Sequence, residues 1–157
     1  MKVTLELLRK YNACREQRKL FAKTFPQGVV PTRELVRRFG DVFDLGWAAE
    51  ALLTGERFNA FEDSRAEAIG AHNKAMEPVN RAYKAAIDSA WDRWNSSWDS
   101  SSGEEEREAL RQEYVEASAA ADVVYRAAEA LLTAAYDRAV ADAFYDAWVQ
   151  QYPEDAA

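Results

Sequence analysis

Residues 61–94 read FEDSRAEAIGAHNKAMEPVNRAYKAAIDSAWDRW, and residues 114–136 read YVEASAAADVVYRAAEALLTAAY. Phe61, His72, Tyr83 and Trp94 recur every eleven residues in the first stretch, and Tyr114, Tyr125 and Tyr136 do so in the second. Eleven residues make three helical turns with a small residual rotation, so each series marks one stripe along a long helix. Around the rings the apolar spacing alternates between four and three: Tyr83, Ile87, Ala90, Trp94, Trp98. The same positions one and two repeats earlier hold His72, Met76, Val79 and Phe61, Arg65, Ala68, with Arg65 as the exception. The second stretch gives Tyr114, Ser118, Ala121, then Tyr125, Glu129, Leu132, then Tyr136, Val140, Ala143, in which Ser118 and Glu129 are the weak members. Alanines at 117, 121, 128, 135 and 139 allow a second helix to come close.

The pattern predicts an all-α chain whose second part, residues 55–157, is a long antiparallel helical hairpin, coiled-coil-like, with its turn near 95–103. Helices of about 40 residues would extend about 60 Å. Ser102 or Gly103 is placed to cap the second helix, and Glu104, Glu105 and Glu106 suit the positive end of its dipole. The helix is expected to run to about Tyr152, with Pro153 beyond its end. Pro78 predicts a kink or break near Glu77, because proline lacks the helical N–H donor and crowds the preceding turn. A shorter three-helix packing is the alternative.

Residues 1–54 read as a head of short helices. Thr4 caps one that carries Leu5, Leu8, Tyr11, Ala13, Cys14 and Phe21 and ends at Phe25-Pro26-Gln27-Gly28. Thr32 caps a second, Arg33 to Phe39, closed by Gly40, and Asp44 caps a third through Trp47 and Leu52. Val29 and Val30 form an extended piece with no visible partner strand. The head carries ten basic and six acidic residues, a balance of +4, against −11 for residues 55–157. A basic head on an acidic stalk steers encounters with partners, although long solvated helices are also commonly acidic. No apolar run reaches the roughly 20 residues that span a bilayer, and the charged N-terminus does not read as a signal peptide. With a lone cysteine, the expected compartment is the cytoplasm, that of a host cell if the chain is phage-encoded.

Ala13-Cys14-x-x-Gln17-x-x-x-Phe21-x-x-x-Phe25-Pro26-x-Gly28, followed by Phe43-Asp44-x-x-Trp47-Ala48-Ala49-x-x-Leu52-Leu53, resembles the head of a group of small uncharacterised phage and prophage proteins. In that group the head precedes Ala/Tyr/Asp/Arg-rich eleven-residue repeats, which Leu131 to Val140 and Arg81-Ala82-Tyr83 resemble. Head and repeats cover most of the chain, and the head motif is the more specific. The chain departs from the group in its few Ala-Pro steps, keeping only Glu77-Pro78. The resemblance implies a mobile-element origin and no activity.

Chemistry-bearing residues are sparse. A di-metal bundle site needs inward Glu-x-x-His pairs; Ile69 precedes His72 by three and no second histidine exists, so a packing or interface role fits better. Cys14 falls mid-helix among apolar positions and reads as a small buried hydrophobe. Ser100, Ser101 and Ser102 have no base beside them, and Glu104, Glu105, Glu106 and Glu108 have no enclosure to split their pKa values. No catalytic, cofactor or metal site and no small-molecule substrate is expected. Arg33, Arg37 and Arg38 could touch nucleic acid, but the preceding turn is long for a helix-turn-helix and no Asn or Gln sits on that helix to read adenine. The reading is a non-enzymatic interaction protein of phage or prophage type. Its interface would be Phe61, His72, Tyr83, Trp94, Tyr114, Tyr125 and Tyr136, and its partner a second copy (a homodimer) or a host protein. One version is an anti-CRISPR-like inhibitor whose acidic stalk competes with nucleic acid. The alternative is a DNA-binding regulator using the basic head.

Overall fold

The structure, a computed structural model, describes residues 1–98 and 103–155. Four short helices, α1 (Leu5–Lys10), α2 (Arg15–Thr24), α3 (Arg33–Phe39) and α4 (Leu45–Leu52), precede α5 (Gly55–Trp98) and α6 (Glu104–Gln151). The two long helices pack together as a hairpin, as the eleven-residue period requires. Ser97 and its neighbours are still helical, and residues 99–102, including the Ser102 cap and the serine cluster, lie outside the described residues. The chain forms two compact units, residues 1–70 with 135–157, and residues 71–134. The division therefore crosses both long helices and does not fall after residue 54, because the head builds its core on the beginning of α5 and the end of α6.

In the first unit Thr4, Thr32 and Asp44 cap α1, α3 and α4 as expected, accepting the N–H of Leu7, Leu35 and Trp47 at 3.2, 3.3 and 2.9 Å. The first predicted helix is split. Asn12 takes a left-handed φ of 58°, which a short polar side chain tolerates, and ends α1 there. Cys14 is consequently the N-cap of α2, with Sγ accepting from Gln17 N at 3.4 Å, and it is exposed rather than buried in mid-helix. Val29 does find a partner: it exchanges two backbone hydrogen bonds with Val3, at 2.8 and 2.9 Å. Gly28, at φ 77°, permits that approach, since a Cβ there would lie 2.6 Å from the Val3 carbonyl oxygen.

The core of this unit centres on Trp148 and Phe61, both fully buried. Phe61 meets Phe144 edge-on at 6.2 Å, and Trp148 lies between Phe144 at 6.1 Å and Tyr152 at 4.5 Å. The free carbonyl of Leu52, at the end of α4, accepts from both Gln151 Nε2 at 2.8 Å and the Tyr152 hydroxyl at 3.0 Å. Thr54 N donates to Gln151 Oε1 at 2.8 Å, so the junction into α5 is satisfied by the last residues of α6.

The second unit is a two-helix layer, and it shows the limits of one. Among its described residues only Met76 and Ala90 are buried hydrophobics. Tyr83 stacks on Tyr125 at 5.0 Å and donates to Asp122 at 2.8 Å; that hydrogen bond is the main reason its phenol holds its proton above the ordinary range. Trp94 packs with Tyr114 at 6.1 Å and with Trp91 and Trp98 at 4.7 and 5.3 Å. The helix α5 runs unbroken through Pro78, so the expected break near Glu77 does not occur. Seam contacts on both sides of it, Met76 before and Tyr83 after, hold the turns in line where an isolated helix would part.

Candidate interaction surface

Of the seven rings expected to form an interface, Phe61 is fully buried and His72, Tyr83, Trp94, Tyr114, Tyr125 and Tyr136 are half-buried. They line the seam between α5 and α6, so the sticky edge expected of them is covered by the chain's own second helix. Arg65, the polar exception, is accommodated there: it pairs with Glu62 at 3.1 Å and is also hydrogen-bonded with Tyr136. The stripe is thus the hairpin's internal glue.

What the seam leaves outside is a different set. In the second unit the charged residues of α5, Lys74, Glu77, Arg81, Lys84, Asp88 and Asp92, recur at steps of three and four and form one stripe. Asp122, Arg126 and Glu129 form another along α6. These stripes hold both signs and largely neutralise themselves, with pairs Arg81–Glu77 at 3.7 Å, Lys84–Asp88 at 2.6 Å and Arg126–Asp122 at 4.0 Å. A further pair of stripes carries no charge for several turns. On α5 it comprises Pro78, Ala82, Ala86 and Ser89; on α6, Ala117, Ala120, Val124 and Ala128. They flank a shallow groove walled almost wholly by apolar atoms. Val124 is 70% exposed, and Leu131, two turns further on α6, is 74% exposed.

The groove continues toward the ends of the helices, past Ala90 and Leu110, where Arg93 stands on one side and Glu113 and Glu116 on the other. Glu116 accepts from Gln112 at 2.9 Å, and neither Arg93 nor Glu113 has a side-chain partner among the described residues. Alanine is what makes the groove: on a helix face it carries no bulk, so another backbone can come close, and isolated valine and leucine side chains stand above it as knobs. A surface of this kind offers contact area and shape, with no group that could do covalent chemistry.

In the first unit the arginines expected to touch nucleic acid are placed against α6. Arg37 grips Asp142 with two nitrogens, at 2.7 and 2.8 Å, and Arg33 bonds Asp142 at 3.1 Å and also Asp146. The Arg33 guanidinium lies over the Tyr145 ring at 4.7 Å, and Arg38 lies over Phe39 at 5.4 Å. Two of the three cations are therefore committed to fastening α3 onto α6. Asp142 titrates below the ordinary carboxylate range, chiefly through the hydrogen bond from Arg37, with burial opposing and Arg33 adding. A depressed folded-state value makes this contribution complete above about pH 4 and lost as pH falls below it. Asp142→Asn should therefore flatten the decline of stability as pH falls below about 4; urea titrations at stepped pH, with parallel acid limbs for both proteins, would count against it.

The head also holds a partly open cavity of about 110 Å³ bordered by Phe21, Phe25, Phe39, Phe43 and Trp47. Its wall is nearly all apolar. The two polar side chains that reach it are engaged elsewhere, Gln17 with the Val42 carbonyl at 3.4 Å and Asp44 as the α4 cap. Among the described residues no group of three or more His, Cys, Asp or Glu is arranged to hold a metal, and no helix is long and apolar enough to cross a membrane. Comparison with family models, with curated proteins and with solved structures finds no match for this chain.

Proposed function

We propose that this chain is a non-enzymatic interaction protein, of the phage or prophage type its sequence resembles, working through the uncharged face of its hairpin. The carrying observation is Val124, 70% exposed on the wall of an alanine groove that the hairpin leaves open, with Leu131, 74% exposed, beyond the groove's end on the same helix. A two-helix layer has no third element to cover such a face, and exposing it to water gains nothing for the folded chain. Burial of each such side chain against a partner contributes about 1.5–3 kcal/mol. The self-paired, mixed-sign charges elsewhere on this unit support an apolar contact more than an electrostatic one, and they leave the acidic cluster Glu104, Glu105, Glu106 and Glu108 as the region that nucleic-acid competition would use. The partner class is protein, either a second copy or a host protein such as a defence factor.

The test is capture with tagged chain from cells that also hold an untagged copy, beside the Val124→Glu/Leu131→Glu variant. The wild type should retain a partner, itself or another protein, that the double variant releases at least tenfold. Equal retention by a folded double variant, or no retention by the wild type, would remove this surface from consideration.

A further inference from the structure

We infer that the occupant of the groove is a second copy of this chain, held with its two-fold axis parallel to the helices so that Arg93 of each copy meets Glu113 of the other. The inference rests on the functional reading above and names the partner for that surface.

Area comes first. The α5 wall runs from Pro78 to Ser97, about 28 Å of helix, and two helices side by side are about 20 Å wide, so facing grooves would cover about 1,100 Å² in total. A specific interface needs to clear about 1,000 Å². The face is thus large enough for a dimer without recruiting any other part of the molecule. The product would be a four-helix layer in which Val124, an isolated knob, enters the small-residue channel of the second copy between Ala82 and Ala86.

Charge then selects the symmetry. Trp94 lies level with Tyr114, and Tyr83 with Tyr125, so Arg93 of α5 lies level with Val115 of α6, about 3 Å along the helix from Glu113. A two-fold axis along the helices sets α5 of one copy over α6 of the other at the same level. It therefore brings Arg93 level with the interval between Glu113 and Glu116 of the second copy, within side-chain reach of Glu113, and the symmetry repeats that pair. A two-fold axis across the helices, through the middle of the groove, would set α5 on α5 and α6 on α6. It would press Arg93 onto the segment between Pro78 and Ala82 and Glu113 onto the segment between Ala128 and Leu131, each an unpaired charge on an apolar surface. Arg93, Glu113 and Glu116 are the charged residues lining this end of the groove; Glu116 accepts from Gln112 at 2.9 Å, and Arg93 and Glu113 have no side-chain partner among the described residues.

Sedimentation equilibrium on the full chain and its variants tests this. The wild type should run at twice 17.7 kDa at tens of micromolar. Arg93→Glu alone and Glu113→Arg alone should each weaken self-association about tenfold, since like charges then face each other twice per dimer. An equimolar mixture of the two single variants should recover the wild-type constant, because only the mixed dimer carries two opposite-sign pairs. Repulsion within one chain cannot produce that rescue, so folding defects do not imitate it. A wild type that stays monomeric at several hundred micromolar overturns the inference, as does a dimer indifferent to either reversal or a mixture without rescue. Should capture by the groove persist in that event, the interaction reading stands with a different partner.

Discussion

Trp148→Ala should lower the stability of the protein by about 3–5 kcal/mol, enough to leave the first unit substantially unfolded at 37 °C. Trp148 is fully buried, and it joins Phe144 and Tyr152 on α6 to the head and to Phe61 on α5. Removing its indole deletes contacts on several elements at once, and helices of six to ten residues such as α1 to α4 do not stand without tertiary packing. The chemically informative comparison is Trp148→Phe. The indole Nε1 is buried without an acceptor, a condition that costs about 1–3 kcal/mol. Phenylalanine discards that donor along with part of the volume, so the two effects oppose each other and the net change should stay within about 1.5 kcal/mol. Urea unfolding followed by far-ultraviolet dichroism reads both. Equal losses for Phe and Ala would mean that the indole N–H is satisfied and that the core is organised differently from the structure described.

The period of the rings made the hairpin legible, since large side chains cannot recur every eleven residues on a helix without sharing a face. Its polar members were not legible in the same way. Arg65 looked like a fault in the seam and proves to be held by Glu62 and Tyr136, a partnership that spacing alone does not reveal. Glu129 is exposed while Ala128 before it is half-buried at the edge of the groove, a choice that a run of small residues leaves undecided. The head's short caps were readable from Thr4, Thr32 and Asp44, whereas the split at Asn12 depends on a left-handed residue that only the folded backbone displays. Phe144, Trp148 and Tyr152 were visible at four-residue steps, but nothing in their spacing tied them to a head more than 90 residues away. The same distance hid the Arg33 and Arg37 pairing with Asp142. The uncharged groove was half visible: alanines were conspicuous, but which of them face outward follows only once the seam is known.

Pro78→Ala should stabilise the protein, by about 2 kcal/mol. Proline within a helix costs about 3 kcal/mol through a lost hydrogen bond and a clash with the carbonyl four residues earlier, here that of Lys74. Part of this is returned because proline also restricts the unfolded chain, by about 0.4–1 kcal/mol. The helix is unbroken at this point, so alanine would meet a backbone already helical and would restore the missing donor. For a chain of this length the gain corresponds to a rise of about 4–8 °C in melting temperature. Pro78 also borders the groove, so the measurement needs two protein concentrations: a folding effect within the helix is the same at both, whereas an effect on self-association grows with concentration. A lowered melting temperature at both would show that the turns around Glu77 have adapted to the proline ring, and that the seam from Met76 to Tyr83 depends on the local geometry the ring imposes. The sign of the change therefore separates a helix that merely tolerates its proline from one built around it.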